Sequence, residues 1–403
     1  MTPEPFRIAI SQDVLDDLAR RLAAARFAPD FANEDWSYGV PTRYLRELMT
    51  YWREGFDWRA QERTINRHPH FRVEIDGIPI HFMHIKGKGT APLPLILTHG
   101  WPWSFWDFAS LVDPLADPVS DGADPLDAFD LVIPSLPGFA FSTPLSRPFA
   151  IWETADLWVK LMDALGYERF GAHGGDFGVL VTEQLGHKYP ERMLGVHLSP
   201  CPRRLDIWNV ARPWADLVAG PLSGAAARDG RVIAWEARKV GHAVAQALSP
   251  QTLAAALHDS PVGLAAWLLE RRRNWSDCGG DVETVFSKDQ LLTNFTLYWA
   301  TDSFVTSARL YRDSWKQEWR PSHTRQPMVE VPTGVSLLLS DLPPDADMRW
   351  LQGYFNLTML REHAVGGHFA AAERPQAIVE DLRAFFRPMR KRSARMMACG
   401  VNT

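Results

Sequence analysis

Gly174-Gly175-Asp176-Phe177-Gly178 separates two stretches of different character. Before it, Arg169-Phe170-Gly171-Ala172-His173 reads as the end of a buried strand. After it, Val179-Leu180-Val181-Thr182-Glu183-Gln184-Leu185 opens a helix. A small-x-nucleophile-x-small pattern between strand and helix predicts a nucleophile elbow, whose glycines let the backbone turn sharply and lift the central side chain above a sheet. The central residue here is an aspartate. A carboxylate in that place suits attack on a carbon bearing an oxygen or halide leaving group, with an ester left on the enzyme. The same five residues also fit a glycine-rich turn with an N-cap aspartate, so the elbow depends on what the rest of the chain supplies.

The flanking sequence alternates short apolar runs with helical segments. Leu93-Pro94-Leu95-Ile96-Leu97 leads into His99-Gly100-Trp101-Pro102, Phe129-Asp130-Leu131-Val132-Ile133 leads into Ser135-Leu136-Pro137-Gly138, and Leu194 to Leu198 follows the elbow. Such alternation predicts an α/β fold, a mostly parallel sheet flanked by helices, with ligands beyond the carboxyl ends of the strands. Residues 1–90 read as an N-terminal meander and first strands: a helix after Ser11, a helical segment from Tyr44 to Trp58, and a hairpin on Asp76-Gly77. Residues 91–205 are the first part of the core. Residues 206–325 carry helical signals and no clear strand, which predicts an inserted helical cap. The core resumes over 326–388 with Gly334 to Leu339, Leu357 to Leu360 and a helix bearing Ile378, Val379, Leu382, Phe385 and Phe386 on one face; 389–403 reads as a basic, disordered tail.

Composition narrows the classes of partner. A net charge of −5 over 403 residues offers no broad cationic field for nucleic acid. Cys201, Cys278 and Cys399 are far apart and odd in number, which argues against a disulfide framework. With no long apolar run and no basic leader, a soluble cytoplasmic protein is expected. Seventeen tryptophans suit a well-walled apolar pocket.

A carboxylate nucleophile needs a base, an acid to orient that base, and donors for an oxyanion. His368, in Gly366-Gly367-His368-Phe369 between the last strand and last helix, is placed as the base, and Asp341, ending the preceding strand, as its acid, with Asp345 and Asp347 as fallbacks. The amides of Trp101 and Phe177 are candidate oxyanion donors; Pro102 has no N–H to offer. Lys86-Gly87-Lys88-Gly89-Thr90 lacks phosphate-loop spacing, and His363 and His368 lack the glutamate of a zinc helix. Arg271-Arg272-Arg273 and Arg390-Lys391-Arg392 read as solvated charge runs.

Taken in order, His99-Gly100-Trp101-Pro102, Ser135-Leu136-Pro137-Gly138-Phe139, the aspartate elbow, Asp259-Ser260-Pro261-Val262-Gly263-Leu264-Ala265, Val331-Pro332-Thr333-Gly334 and Gly366-Gly367-His368-Phe369 resemble the epoxide hydrolases of the α/β-hydrolase superfamily, in the branch similar to microsomal epoxide hydrolase. The resemblance runs from about residue 4 to 388, includes Trp58-Arg59 and Asp76-Gly77 of the meander, and leaves out the membrane anchor of mammalian members. It implies that Asp176 opens an epoxide through an alkyl-enzyme ester, that His368-activated water releases a vicinal diol, and that neither metal nor organic cofactor takes part. It also implies two lid tyrosines that donate to the epoxide oxygen. Tyr311 matches the second, whereas the place of the first reads Gly241-His242. His242, Trp235, Glu236 and Gln246 are therefore candidate pocket residues, and Trp103 is expected either to narrow the entrance or to pack under the meander. Ala140 and Phe177 stand where the branch often has glycine and tryptophan. The expected partner is a small apolar or aryl epoxide, with a natural-product pathway as one setting and a homodimer as one assembly the sequence permits. A haloalkane dehalogenase and a ligand-binding relative without the chemistry are the alternatives.

Overall fold

The computed structural model describes residues 2–200, 202–210 and 230–399. Cys201, residues 211–229, the side chain of Glu236 and the side chains beyond Arg390 lie outside the described residues. Nine strands in the described residues form one sheet: β1 Glu4–Phe6, β2 His70–Ile75, β3 Ile78–Ile85, β4 Leu93–Thr98, β5 Phe129–Pro134, β6 Phe170–Gly174, β7 Met193–Leu198, β8 Val329–Leu338 and β9 Phe355–His363. Their spatial order is β1-β2-β3-β5-β4-β6-β7-β8-β9. The three pairings from β1 to β5 are antiparallel and the rest are parallel.

Local chemistry explains the elements. Asp76 and Gly77 both take positive φ, 53° and 73°, and close a two-residue hairpin with Ile75 opposite Ile78. β5 and β6 are buried at every residue, as parallel strands covered on both faces must be. The helix Phe177–Lys188 is buried over all but its last residue, Thr182, Glu183, Gln184 and His187 included, so it shows no single hydrophobic stripe facing a core. The cap comprises helices Ile207–Val210, Gly230–Leu248, Pro250–Leu257, Pro261–Trp275, Lys288–Ala300 and Ser303–Lys316 within its described residues. Ser260 caps one of these, accepting from the Gly263 N–H at 3.0 Å with Pro261 in the first turn, and Ser287 and Gln290 form a capping box on another.

The meander is clamped to the cap. Tyr44 donates to Glu283 at 2.8 Å, Tyr51 to Asp289 at 2.9 Å, and the Trp52 indole to Thr296 at 3.0 Å, while Arg21 pairs with Asp259.

Several expectations are corrected. The segment from Tyr44 to Trp58 is two helices, Thr42–Glu54 and Trp58–Ile65, because the first ends at Gly55. In the cap, helices Lys288–Ala300 and Ser303–Lys316 are separated where Asp302 turns into the left-handed region at φ 52°. The short β1 carries too few residues for a period to be read. The last helix passes through Pro388 and runs Pro375–Cys399, over most of the expected tail. Arg271 and Arg272 are buried: Arg272 pairs with Asp107 at 2.6 Å and lies 4.2 Å over the Phe369 ring, and Arg271 lies 3.7 Å over Trp267. A guanidinium leaves water when a carboxylate and an aromatic face replace its hydration.

Candidate active site

The elbow lies at the carboxyl end of β6. Asp176 adopts φ 55°, ψ −117°, a strained conformation for a residue with a Cβ, and its neighbours make room for it. A Cβ on Gly178 would sit 1.8 Å from the carbonyl oxygen of Thr98, and one on Gly100 would sit 2.2 Å from Asp176 Oδ1. Only glycine allows the helix after the elbow and the loop after β4 to approach this closely.

His99 holds that β4 loop. Its Nδ1 faces the Gly100 carbonyl at 2.9 Å and its Nε2 accepts from the Leu136 N–H at 3.0 Å, which sets the neutral tautomer. Burial depresses its pKa to about 4, so it stays in that form. The loop thereby aims the Trp101 N–H at Asp176 Oδ1, 2.8 Å away.

His368 meets the other carboxylate oxygen. Its Nε2 lies 3.1 Å from Asp176 Oδ2 and its Nδ1 2.9 Å from Asp341 Oδ2, so the three residues form one line. Burial opposes a charge on this imidazole, but the Asp341 carboxylate, with help from Asp176, outweighs it and raises the pKa to about 9. For Asp341 burial is again the largest influence; His368 and Lys239 overcome it and lower the pKa to about 2. Asp347 instead pairs with Arg349 at the surface, whereas Asp341 lies beside His368.

The cap supplies the roof. Tyr311 is buried, with its ring 4.8 Å from Phe177 and its hydroxyl 3.0 Å from His242 Nε2. Burial, then the charge of Asp176, drives its pKa well above the ordinary phenol value, so it remains a proton donor. His242 stacks on the Trp101 indole at 5.0 Å with the planes 3° apart, and its edge meets Trp275 at 4.6 Å. Burial, followed by the positive charges of Arg271 and His368, pushes the His242 pKa well below 6.5 and keeps the ring uncharged.

The remaining candidates fall into place around this centre. Trp235 is half-buried with an indole N–H that has no hydrogen-bond partner among the described residues, and Gln246 is buried with its carbonyl bonded to the Trp267 indole at 3.1 Å. Trp103 is buried. It packs 5.8 Å from His368 and 5.4 Å from Phe369, and its carbonyl accepts from the Tyr298 hydroxyl at 2.9 Å. Sequence reasoning missed Lys239, whose ammonium is 2.6 Å from Asp341 Oδ1, and Trp275, whose carbonyl accepts the His368 N–H at 2.8 Å. A signal existed for the lysine: Trp235, Lys239, His242 and Gln246 repeat at helical spacing and share one face of the Gly230–Leu248 helix. Among the described residues no His, Cys, Asp or Glu cluster has the form of a metal site, and no helix is long and apolar enough to cross a membrane.

Comparison with known proteins shows the family to which the chain is similar. Residues 3–108 match the family described as "Epoxide hydrolase N terminus" and residues 94–321 the "alpha/beta hydrolase fold" family. The chain is 40% identical to a putative epoxide hydrolase of Stigmatella aurantiaca, over 96% of this chain and 85% of that protein. It is 33% identical to epoxide hydrolase 1 of Oryctolagus cuniculus over 94% of this chain and 88% of the relative. The solved structure of Aspergillus niger epoxide hydrolase superimposes with a TM-score of 0.78 at 30% identity, covering 96% of this chain and 97% of that one.

Proposed function

This chain belongs to the epoxide hydrolase family of the α/β-hydrolase fold, and on that premise we propose that it converts an apolar or aryl epoxide to a vicinal diol through an ester on Asp176. The observation that carries the reading is the division of labour at the Asp176 carboxylate: Oδ1 is held by the Trp101 N–H and Oδ2 faces His368. Oδ2 attacks an epoxide carbon and becomes the ester oxygen. As the C–O bond breaks, the epoxide oxygen takes the proton of Tyr311. The protonated His368 of the free enzyme loses its electrostatic support once Asp176 becomes an uncharged ester, and the proton it releases restores Tyr311.

Neutral His368 then takes a proton from water, whose hydroxide adds to the ester carbonyl. The oxyanion forms on Oδ1, where the Trp101 N–H, joined by the Phe177 N–H, stabilises it; one such donor is typically worth about 3–4 kcal/mol. Collapse transfers the added hydroxyl proton to the leaving alkoxide, which regenerates Asp176 as carboxylate and His368 as imidazolium. Epoxide plus water has become diol. His242 supports the opening step as a neutral partner of Tyr311 that fixes the phenol over the elbow. Aromatic walls from Trp101, Phe177 and Trp275 favour an apolar substrate.

The test is intact mass and peptide mapping of His368→Gln after exposure to a panel of aryl and alkyl epoxides. An adduct equal to the whole epoxide on Asp176 is expected. An adduct formed only with alkyl halides, and lacking the halogen, would reassign the protein to haloalkane dehalogenation, and binding without any adduct would leave it a ligand-binding relative.

A further inference from the structure

One side chain tied in beside the proposed reacting groups is one that the reaction does not name. Lys239 sits on the cap helix, yet its ammonium reaches the core, 2.6 Å from Asp341 Oδ1 and 3.3 Å from the Trp275 carbonyl oxygen. Its side chain is 12% exposed and that of Asp341 is 2% exposed, so the pair is shielded from screening. The second oxygen of Asp341 faces His368, and the same Trp275 carbonyl accepts the His368 backbone N–H. Cap helix, cap loop and base loop therefore meet around one carboxylate and one carbonyl.

The seam is closely fitted beyond the lysine. Asp277 of the cap loop accepts the Gly366 N–H at 2.9 Å, and Glu373 accepts the amides of Asp277, Gly367 and Phe369 at 2.8–2.9 Å. A Cβ on Gly367 would lie 2.6 Å from the Trp275 carbonyl oxygen. The base loop is held against the cap from Gly366 to His368.

Charge at this seam bears on the second half-reaction. The groups that face His368 and Asp341 are Asp176 from the elbow, Lys239 and His242 from one cap helix, Tyr311 from another, Asp277 from the cap loop and Glu373 behind the base loop. In the ester Asp176 is uncharged, and His242 is neutral throughout. Asp277 and Glu373 are turned onto backbone amides. Among the described residues, Asp341 and Lys239 are then the opposed charges paired beside the base. Asp341 alone would hold His368 protonated, where it cannot activate water; an ammonium on the far oxygen offsets that charge while fixing the carboxylate's orientation.

Resting on the epoxide-opening reading above, we propose that Lys239 is a positioning residue of ester hydrolysis, a cap-borne cation that orients Asp341 and keeps His368 available as a base only when the cap is seated on the core. A free ammonium in water could not do this; one fixed by a buried carboxylate and a carbonyl can.

The experiment compares wild type, Lys239→Met and Lys239→Arg by rapid-quench mass spectrometry, with an epoxide that gives the His368→Gln adduct. In Lys239→Met the alkylation rate stays within about 3-fold of wild type while hydrolysis at pH 7 falls about 5–50-fold, because a rise of one to two units from a base pKa of about 7 removes that fraction of neutral imidazole. The ester accumulates, the pH profile of hydrolysis moves to higher pH, and Lys239→Arg recovers most of the rate. Equal loss of both steps with a lowered Tm would show a merely structural lysine and overturn the proposal, as would unchanged hydrolysis in Lys239→Met. Failure of His368→Gln to form any adduct would instead sink the reaction itself, and the role of Lys239 with it.

Discussion

Replacing Asp176 by asparagine keeps the shape of the elbow and removes one charge beside His368. Oδ2 lies 3.1 Å from the imidazole Nε2 in the native enzyme. Taking charge centres about 4 Å apart and an effective dielectric of about 20, the lost attraction is about 4 kcal/mol, or about three pKa units as an upper bound. The sign follows from the charge: an anion stabilises imidazolium, so its removal lowers the pKa. His368, at about 9 with both carboxylates present, should fall by two to three units toward about 6–7 in Asp176→Asn, with burial opposing and Asp341 still supporting the proton. The assay is a pH titration of the imidazole nitrogens by NMR in ¹⁵N-histidine-labelled wild type and variant. The His368 resonance is assigned by its absence in His368→Gln. A shift below about half a unit would refute the argument that ester formation itself converts His368 from a bound acid into a free base, since the uncharged ester and the uncharged amide act alike on the ring. The kinetic counterpart is a hydrolysis step whose lower-pH limb lies near 6–7 even though the resting enzyme carries a protonated His368 at neutral pH.

Tyr311→Phe should slow alkylation about 100-fold or more while leaving hydrolysis of a preformed ester within a few-fold, and His242→Ala should slow alkylation about tenfold by releasing the phenol; single-turnover quench separates the steps. Because His242 stays neutral, the alkylation rate should show no titration between pH 6 and 8 that His242→Ala abolishes. Gly178→Ala should cost at least about 3 kcal/mol, or fail to fold, because the new methyl would meet the backbone of Thr98 at 1.8 Å. Gly241→Ala, with nothing within 4 Å in the interior of an exposed helical turn, should stabilise by about 1 kcal/mol; urea unfolding checks both. Acid should destabilise the fold below pH 6.5. His70, His99 and His173, each depressed by burial to about 4, contribute stability that is complete above their unfolded pKa and lost as pH falls from 6.5 toward 4, about 3 kcal/mol apiece at most. His368 works in the opposite direction, its contribution being present below 6.5 and lost as pH rises through about 9. Urea midpoints at pH 7.5, 6 and 5 that do not fall would contradict the assignment.

What the sequence determined by itself is what short-range chemistry dictates. The glycines about Asp176, the Asp76-Gly77 turn, the apolar runs of β4 to β7 and the placement of Asp341 and His368 on successive loops are all patterns within a few residues. Each has one physical cause: a positive φ, a strand covered on both faces, or a turn at a strand's carboxyl end. Tertiary structure decided what depends on the removal of water and on residues far apart in the chain. Arg271 and Arg272 look like a solvated run until Asp107, Trp267 and Phe369 replace their hydration. His242 looks ionisable until burial between Trp101 and Trp275 makes the charged form too costly. Lys239 has no local signature that points across 102 residues to Asp341, because only the docking of the cap on the core brings an ammonium and a buried carboxylate within 2.6 Å. Local pattern marked the candidate site residues, and long-range packing set their charge states and held them in line.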